Sequence, residues 1–573
     1  MKNLILSAFL VWSTISVQAQ LTDSISTITV SASHIPSSIS QTGKNITVLT
    51  AKDIQNSSAT SVDDLLGSLS GVHLNTRGAF GVQADISMRG STYSQVLILV
   101  DNVRLNDPLT AHFNNNLPVT LAEIGQIEII RGPASASFGT DAVGGVIHIK
   151  TKSYLRQYQK QEFSLSGEVG LGAHRQSMSN IGLLYQKDKL LFAAGVQTNI
   201  SDGEQLENPN FKQGIPTDSL YQNYFDIRTY SASLAYLFSD QWNIYLRTNT
   251  THRAFIAKSF YTQSIYDEST EETKSNSFQA TIRHRKDQHH TAITLAHKST
   301  DDLFVFNPLF SANQHKTNQD ILNIHHRMNI SSRIKLAFGG QFLQQTIKST
   351  DRGDHQKNST AIFATIAYPI IQNLNTTASL RLVYDPAFGI QPIPQLNFAY
   401  VFNEMTIRSS IGSAIRSADF TEQYISSQIA NLSPGRNIGN PDLKPEHSQT
   451  IDLGIDWRPQ HNTLLAATIF YRQSKDLIDY ILTNSNEIKN APNLLQNENY
   501  LYANKIANSK TTGMELQLQK QYNIHQNTLS LSGNYTYLNT TAPDGIISKY
   551  IANHPKHQLN AKIGFQHSFF DLS

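Results

Sequence analysis

Three groups of residues have types and spacings that could support chemistry. Histidine is abundant, at 20 residues, and two pairs are adjacent, His289–His290 and His325–His326. A metal ion needs several ligands converging from one side. Adjacent residues of an extended strand point to opposite faces, so neither pair can close on one ion. These histidines are expected to be solvated or to line a lumen. Asp202, Glu204 and Asp218 form an acidic stretch that could hold a structural Ca²⁺, although their spacing is not that of an EF-hand. The third group is RGPASASFGTDAVGGVIHI, Arg131 to Ile149. A phosphate-cradling loop would end in Gly-Lys-Ser/Thr and open a helix, and this one does neither. It reads instead as a turn at Gly132-Pro133, with Gly139, Gly144 and Gly145 allowing close backbone approach. No GxSxG, HExxH or HxE…CxxC pattern is present. No enzyme, resident metal or cofactor is expected.

The elements around these residues give the compartment and the class. Met1-Lys2-Asn3 is a short basic start, Leu4 to Val17 an apolar run, and Val17-Gln18-Ala19 suits a signal peptidase. A secretory signal over 1–19 is expected. The run is too short for a spanning helix, which needs about 20 residues. The chain has no cysteine, so packing or a closed hydrogen-bonded sheet must hold it together. A net charge of +2 implies no nucleic-acid partner. Mean hydropathy is −0.32. That excludes a bundle of membrane helices but not a barrel, whose strands show only every second residue to lipid.

Two grammars divide the rest. From Asn45 to about Lys152, short apolar runs and one helical stretch alternate with Gly-rich turns. Strands are expected at Ile46–Leu49, Ile86–Arg89, Val96–Val100, Gln126–Ile130 and Val146–Lys150. Ser61 should cap a helix that ends near Gly71. From Glu162, segments of about ten residues alternate apolar and polar, separated by turns. Phe163, Leu165, Val169 and Leu171 share one face. Ile451, Leu453, Ile455 and Trp457 share another, opposite Asp452 and Asp456. Met514, Leu516 and Leu518 alternate with Glu515, Gln517 and Gln519. The pattern persists for about 400 residues, roughly nineteen strands, too many for one sandwich. Long polar loops are expected at Ser201–Asn223 and Ser413–Pro445. Ahead of both regions, SISTITVSAS (Ser24 to Ser33) alternates like a strand that has no nearby partner.

Several motifs occur in order: DISMRGSTYSQVLILVDNVRLND from Asp85, IEIIRGPASASFGTDAVGGVIHIKT from Ile127, and NIGNPDLKPEHSQTIDLGIDW from Asn437. Together they resemble the TonB-dependent outer-membrane receptors of Gram-negative bacteria. The resemblance implies a transmembrane antiparallel β-barrel, of about 22 strands in complete family members, with an N-terminal α/β plug inside the lumen. It divides the chain into a signal peptide (1–19), a periplasmic segment with a Ton box (20–44), a plug (45–152) and a barrel (153–573). Family barrels finish on an aromatic-ended strand, so the last strands are expected to be missing here. The implied activity is active transport of a scarce nutrient, driven through TonB with ExbB and ExbD of the inner membrane. A corrinoid is the first expectation for cargo, and a ferric siderophore or haem the alternative. A monomeric barrel in outer-membrane lipid is implied. A passive porin is the rival class, but a lumen filled by a plug cannot conduct freely. A structural or adhesive barrel is the third.

The same resemblance assigns residues. Thr27, Ile28, Thr29, Val30, Ser31 and Ala32 match the Ton box, an extended segment that can add to a TonB sheet. Pro36 and Ser37-Ser38 would then be a mobile leash. Within the family the plug is nearest the cobalamin receptors. Their ligand-contacting positions fall on Gln83, Asp85, Thr92, Thr110 and Ala111, with His112, Phe113 and Asn114 in the same apical loop. Asn102 replaces the usual Gly of a turn and tolerates positive φ. Arg89 and Arg131 sit in plug motifs and need carboxylates if buried. Glu446 and Glu515 fall on the lumen face, so Arg–Glu contacts docking plug to wall are expected.

Overall fold

In the computed structural model, the described residues are 29–30, 33–57, 59–78, 82–155, 162–208, 211, 218–262, 264–506, 508–524, 527–541, 553–567 and 570–572. The expected signal peptide lies outside them, as do Thr27, Ile28, Ser31 and Ala32.

The N-terminal part opens with two short strands, β1 (Thr29–Val30) and β2 (Ser37–Ser38). Then follow β3 (Asn45–Thr50), helices α1 (Ala51–Gln55) and α2 (Val62–Gly67), β4 (Val72–Thr76) and β5 (Ala84–Met88). β6 (Val96–Val100), β7 (Val103–Arg104), β8 (Ile124–Arg131), α3 (Ser135–Phe138) and β9 (Gly145–Thr151) complete it. Five strands pair in the order β3-β8-β9-β6-β7, with β6 and β9 parallel and the other pairs antiparallel. Thr50 and Asp53 close a capping box on α1, and Ser61 accepts from the Asp64 amide to start α2. The apolar face of α2, Val62, Leu65 and Leu66, packs on Val72, Ile86, Ile127 and Ile147. Each such buried side chain contributes about 2 kcal/mol. Asp101 and Asn102 both take positive φ, 49° and 70°, as the two-residue turn between β6 and β7 requires. At Gly144 an added Cβ would lie 2.4 Å from Ser91 Oγ and 2.7 Å from the Met88 carbonyl, so β5 and the Gly-rich loop meet only because this residue has no side chain.

Among the described residues from Glu162 onward, nineteen strands form one antiparallel sheet that surrounds the N-terminal domain, beginning with β10 (Glu162–Leu171). Its burial is inverted relative to a soluble protein. On the strand Glu446–Gln460, Ile451 and Leu453 are 49% and 50% exposed, while Asp452 is 2% exposed. The outward apolar face and packed polar face are those of a membrane barrel. One rim carries tight turns, such as Lys187 to Leu190 and Lys286 to His289. The other carries the long connections 257–269, 417–445 and 476–508. Among the described residues β10 and the last strand, Phe570–Leu572, are not paired with each other.

Three local expectations are corrected. The strands Leu190–Glu207 and Leu220–Leu237 run on through most of the Ser201–Asn223 stretch, because their backbones keep pairing beyond a bulge at Ser201/Glu204. Arg89 is not on a strand but follows β5 with φ of 51°. Ser37-Ser38 is not a free leash. It pairs with β1 (Thr29↔Ser38, Val30↔Ser37), and Val30 is buried among Leu97, Leu99, Ile130, Ala134 and Phe138. The strand that lacked a partner in the sequence finds one a few residues away. The segment then packs against the wall at Gly43, whose φ is +66° and whose Cβ would be 2.7 Å from the Phe398 backbone.

Candidate functional site

The residues assigned above occupy three places. The first is the apex of the inner domain, at the long-loop rim. Asp85, near the start of β5, accepts from Arg77 at 2.9 Å and faces His112 Nδ1 at 2.7 Å. Burial raises the Asp85 carboxyl, but His112 and Arg77 outweigh it and hold its pKa below the ordinary range. His112 stacks on Tyr93 at 4.4 Å between ring centres. Gln83 is buried and donates to the Tyr261 hydroxyl at 2.7 Å, and Tyr261 donates to Glu271 at 2.6 Å. Burial, with Glu271 beside it, pushes the Tyr261 hydroxyl well above its ordinary pKa. Thr110 Oγ1 accepts from the His112 amide, and the Ala111 amide donates to Asp419 at 3.3 Å. Burial pushes the Asp419 carboxyl up to about 7. The Asn114 side chain accepts from the Asp107 amide at 3.1 Å. Phe113 points inward against Leu109, Ile347 and Phe420. Thr92 stands apart from the Asp85 group, bonded to Ser94 and Gln95.

Beside this cluster a cleft runs between the inner domain and the wall. It is lined by Arg104, Asp107, Asp141, Lys357, Asp385, Arg416 and Asp419, among others. Arg104 pairs with Asp141, and Arg416 pairs with Glu446 and Glu422. Lys357 donates to the Ala418 carbonyl. Every cation lining the cleft therefore already has a partner.

The second place is the contact between domain and wall. Arg89 makes a two-pronged bond to Glu515, 3.0 Å from Nε and 2.7 Å from Nη2, and reaches Asp452 at 3.3 Å. Burial works against its charge, but the two acids overcome it and raise its pKa. Arg131 and Glu446 take part in the contact differently. Arg131 spends its donors inside its own domain, on the Ser70 carbonyl, Asn45 and Thr47, and lies 4.0 Å from Glu515. Burial pulls it down to about 10. Glu446 binds the wall's Arg416 and accepts from Gln95 of the inner domain at 2.7 Å. Its link to the plug is thus a neutral amide, because Arg416 is already beside it on the paired strand.

The family models reflect this architecture. "TonB-dependent Receptor Plug Domain" matches residues 38–146, and "TonB dependent receptor-like, beta-barrel" matches 192–572. The chain belongs to the TonB-dependent receptor family. The vitamin B12 transporter BtuB of Vibrio cholerae serotype O1 is 23% identical over 526 residues, 88% of this chain and 77% of that one. The iron-regulated outer membrane virulence protein of the same species is 23% identical over 565 residues, 94% and 82% of the two chains. Among solved structures, the siderophore receptor PirA from Acinetobacter baumannii superposes with a TM-score of 0.72 at 18% identity, over 91% of this chain and 84% of that one. The ferric enterobactin receptor PfeA from Pseudomonas aeruginosa gives 0.72 at 16%, over 91% and 85%. This receptor is therefore an outer-membrane barrel for TonB-dependent nutrient transport and not an enzyme. The tight-turn rim faces the periplasm and the long-loop rim the exterior.

The third place is the N-terminal hairpin of this receptor. Of the Ton box positions only Thr29 and Val30 fall within the described residues, as β1. Just beyond, His34 lies against the Ser137 carbonyl, between Phe138 of the plug and His325 and Phe363 of the wall. Burial, with His325 and Arg381 nearby, lowers its pKa well below the ordinary value.

Two remaining expectations also change. Asp202 and Glu204 lie on a strand, and Asp202 pairs with Arg175 at 3.1 Å. Among the described residues no group of three or more His, Asp or Glu side chains gathers that could hold a metal ion. The histidine pairs do split between faces, yet His289 and His326, one from each pair, meet across strands at 3.3 Å. Sequence reasoning missed Arg77, Tyr93, Tyr261, Asp419 and Asp452. Asp452 alone carried a signal, being an acid on the lumen side of an alternating strand.

Proposed function

We propose that this receptor imports a corrinoid, a bulky ligand edged with carboxamides and carrying little charge. The observation that carries this reading is the state of charge in the apical cleft. Its lining cations, Arg104, Lys357 and Arg416, are each taken by a carboxylate or a carbonyl, and the four lining acids, Asp107, Asp141, Asp385 and Asp419, outnumber them. Acceptors in surplus suit a ligand rich in N–H donors, whereas a polyanionic ferric chelate would need a free Arg or Lys. The curated relatives named vitamin B12 transporters point the same way. In this reading Gln83, Asp85, Thr92, Thr110, Ala111, His112 and Asn114 present the apical contact surface, and no cofactor takes part.

Energy enters at the other end. Thr27 to Ala32 is the Ton box, and TonB, with ExbB and ExbD, acts on a monomeric barrel. β1 is already paired with β2 along one edge, and in this reading TonB replaces Ser37-Ser38 as the partner strand. This exchange of one short pairing for a longer one couples engagement to undocking of Val30.

The test is direct titration of the purified receptor in detergent with cyanocobalamin and, separately, with ferric enterobactin. Saturable cobalamin binding without chelate binding supports the reading. Chelate binding without cobalamin binding replaces it with siderophore uptake.

A further inference from the structure

The histidine pairs belong to two unusually basic strand ends, IRHRKDQHH (Ile282 to His290) and IHHRM (Ile324 to Met328). Neither is used by the apical site or the Arg89 contact, although His325 touches His34 of the N-terminal hairpin. Period-two alternation sorts their side chains. His290, His325 and Arg327 share the lumen-facing parity of Thr281, Thr294 and Asn323, all buried. His284, Lys286, His289 and His326 share the outward parity of Ile282, Ile293 and Ile324, all exposed on the lipid-facing surface. Lys286 lies directly opposite His289, and His326 opposite Thr291. The outward four therefore form one patch where three adjacent strands end at the periplasmic rim.

The patch has the setting of a headgroup contact. His284 stacks on Trp242 at 4.3 Å, and His326 lies against Phe338 at 5.2 Å. Indole rings on a barrel exterior sit at the level where acyl chains give way to phosphates. His289 and His326 have only each other and Thr291 as hydrogen-bond partners among the described residues. Lys286 is exposed, and the three flanking turns add Arg333 against Asp240 and Asp287. Lys286 beside two imidazoles thus faces outward at phosphate depth, with no carboxylate bonded to it among the described residues.

We infer that this patch binds the anionic phosphate headgroup of a phospholipid in the periplasmic leaflet of the outer membrane. Lys286 supplies the fixed charge. His289 supplies a ring N–H donor from Nε2, its Nδ1 being held by His326, and Trp242 and Phe338 hold the upper part of the acyl chains. The inference is independent of the cargo and rests only on the barrel's orientation. The chemistry required is a headgroup of net negative charge, its phosphate diester not offset by an ammonium, which phosphatidylglycerol provides and zwitterionic phosphatidylcholine does not.

The test uses the full chain in nanodiscs of equal parts phosphatidylglycerol and phosphatidylcholine. Lipids still bound after release into detergent are counted by native mass spectrometry. The wild type should keep phosphatidylglycerol in preference to phosphatidylcholine. The triple variant Lys286→Gln/His289→Gln/His326→Gln should lose that preference by about fivefold or more. Lys316→Gln removes an exposed cation at the opposite rim, paired with Asp301, and should leave the preference unchanged. Heat-modifiable migration on a gel shows that each barrel is folded. Equal retention of both lipids by the wild type overturns the inference. So does a preference unchanged in the triple variant, or one lost equally in Lys316→Gln.

Discussion

Removing Arg89 tests the physical reading of the plug–wall contact most severely. Its guanidinium makes two bonds to Glu515 and one to Asp452, and no side chain of the three is more than 5% exposed. Breaking a buried pair from one side leaves charge without compensation, which costs about 3–5 kcal/mol. The lower end applies here. In Arg89→Met, Glu515 keeps the Asn45 amide at 2.7 Å and Arg131 at 4.0 Å. A loss of about 3 kcal/mol raises the undocked population of the plug by about 150-fold, at roughly 1.4 kcal/mol per decade. Removing the opposing charge as well, in Arg89→Met/Glu515→Gln, should recover most of that loss, because the penalty comes from the orphaned carboxylate. Hydrogen exchange of the β5–Ser91 peptide in the detergent-solubilised receptor reads this directly. Protection should fall by about two decades in the single variant and return by more than about one decade in the double. Two outcomes would refute the reasoning. One is a single variant within about fivefold of wild type. The other is a double variant as unprotected as the sum of both single changes.

Other predictions concern the apex and the N-terminal hairpin. Val30→Pro removes a strand donor and should abolish import while leaving cargo binding intact, as read by uptake and equilibrium binding in one strain. His112→Ala loses the Tyr93 stack and the Asp85 contact, about 1 kcal/mol of loop order, so cargo affinity should fall about fivefold. The Asp85 carboxyl is held below its ordinary pKa, so its contribution is present above the normal carboxylate range and is lost as pH falls beneath it. Protection of the apical loop should therefore hold at pH 6 and fail near pH 3. His34 is held neutral, so the docked hairpin is fully stable above the ordinary value of 6.5 and weakens as pH falls below it. A single cysteine at Ser33, in a chain that has none, should react with an impermeant thiol reagent faster at pH 5.5 than at pH 7.5 once each rate is divided by that of a free thiol at the same pH, because only the thiolate reacts. Equal rates would sink this.

The sequence by itself determined the class of this protein. Side-chain period is a local property, so the alternation around Ile451 and Met514 revealed a barrel before any contact was known. The helix after Ser61 was legible in its capping residue, and the β6–β7 turn in Asp101-Asn102. Motif order gave the family. Pairings between distant residues were not legible, because they depend on how strands shear past one another. Arg89 and Glu515 are 426 positions apart, and nothing local says that Glu515, rather than Glu446, lies opposite. Tertiary structure likewise decided that β1 is occupied by its own chain. It brought His289 to His326, because antiparallel register joins residues that sequence spacing keeps apart. It also showed that the cations of the apical cleft are already paired. The period of a strand fixes which face a side chain takes, and only the assembled sheet fixes what that side chain meets there.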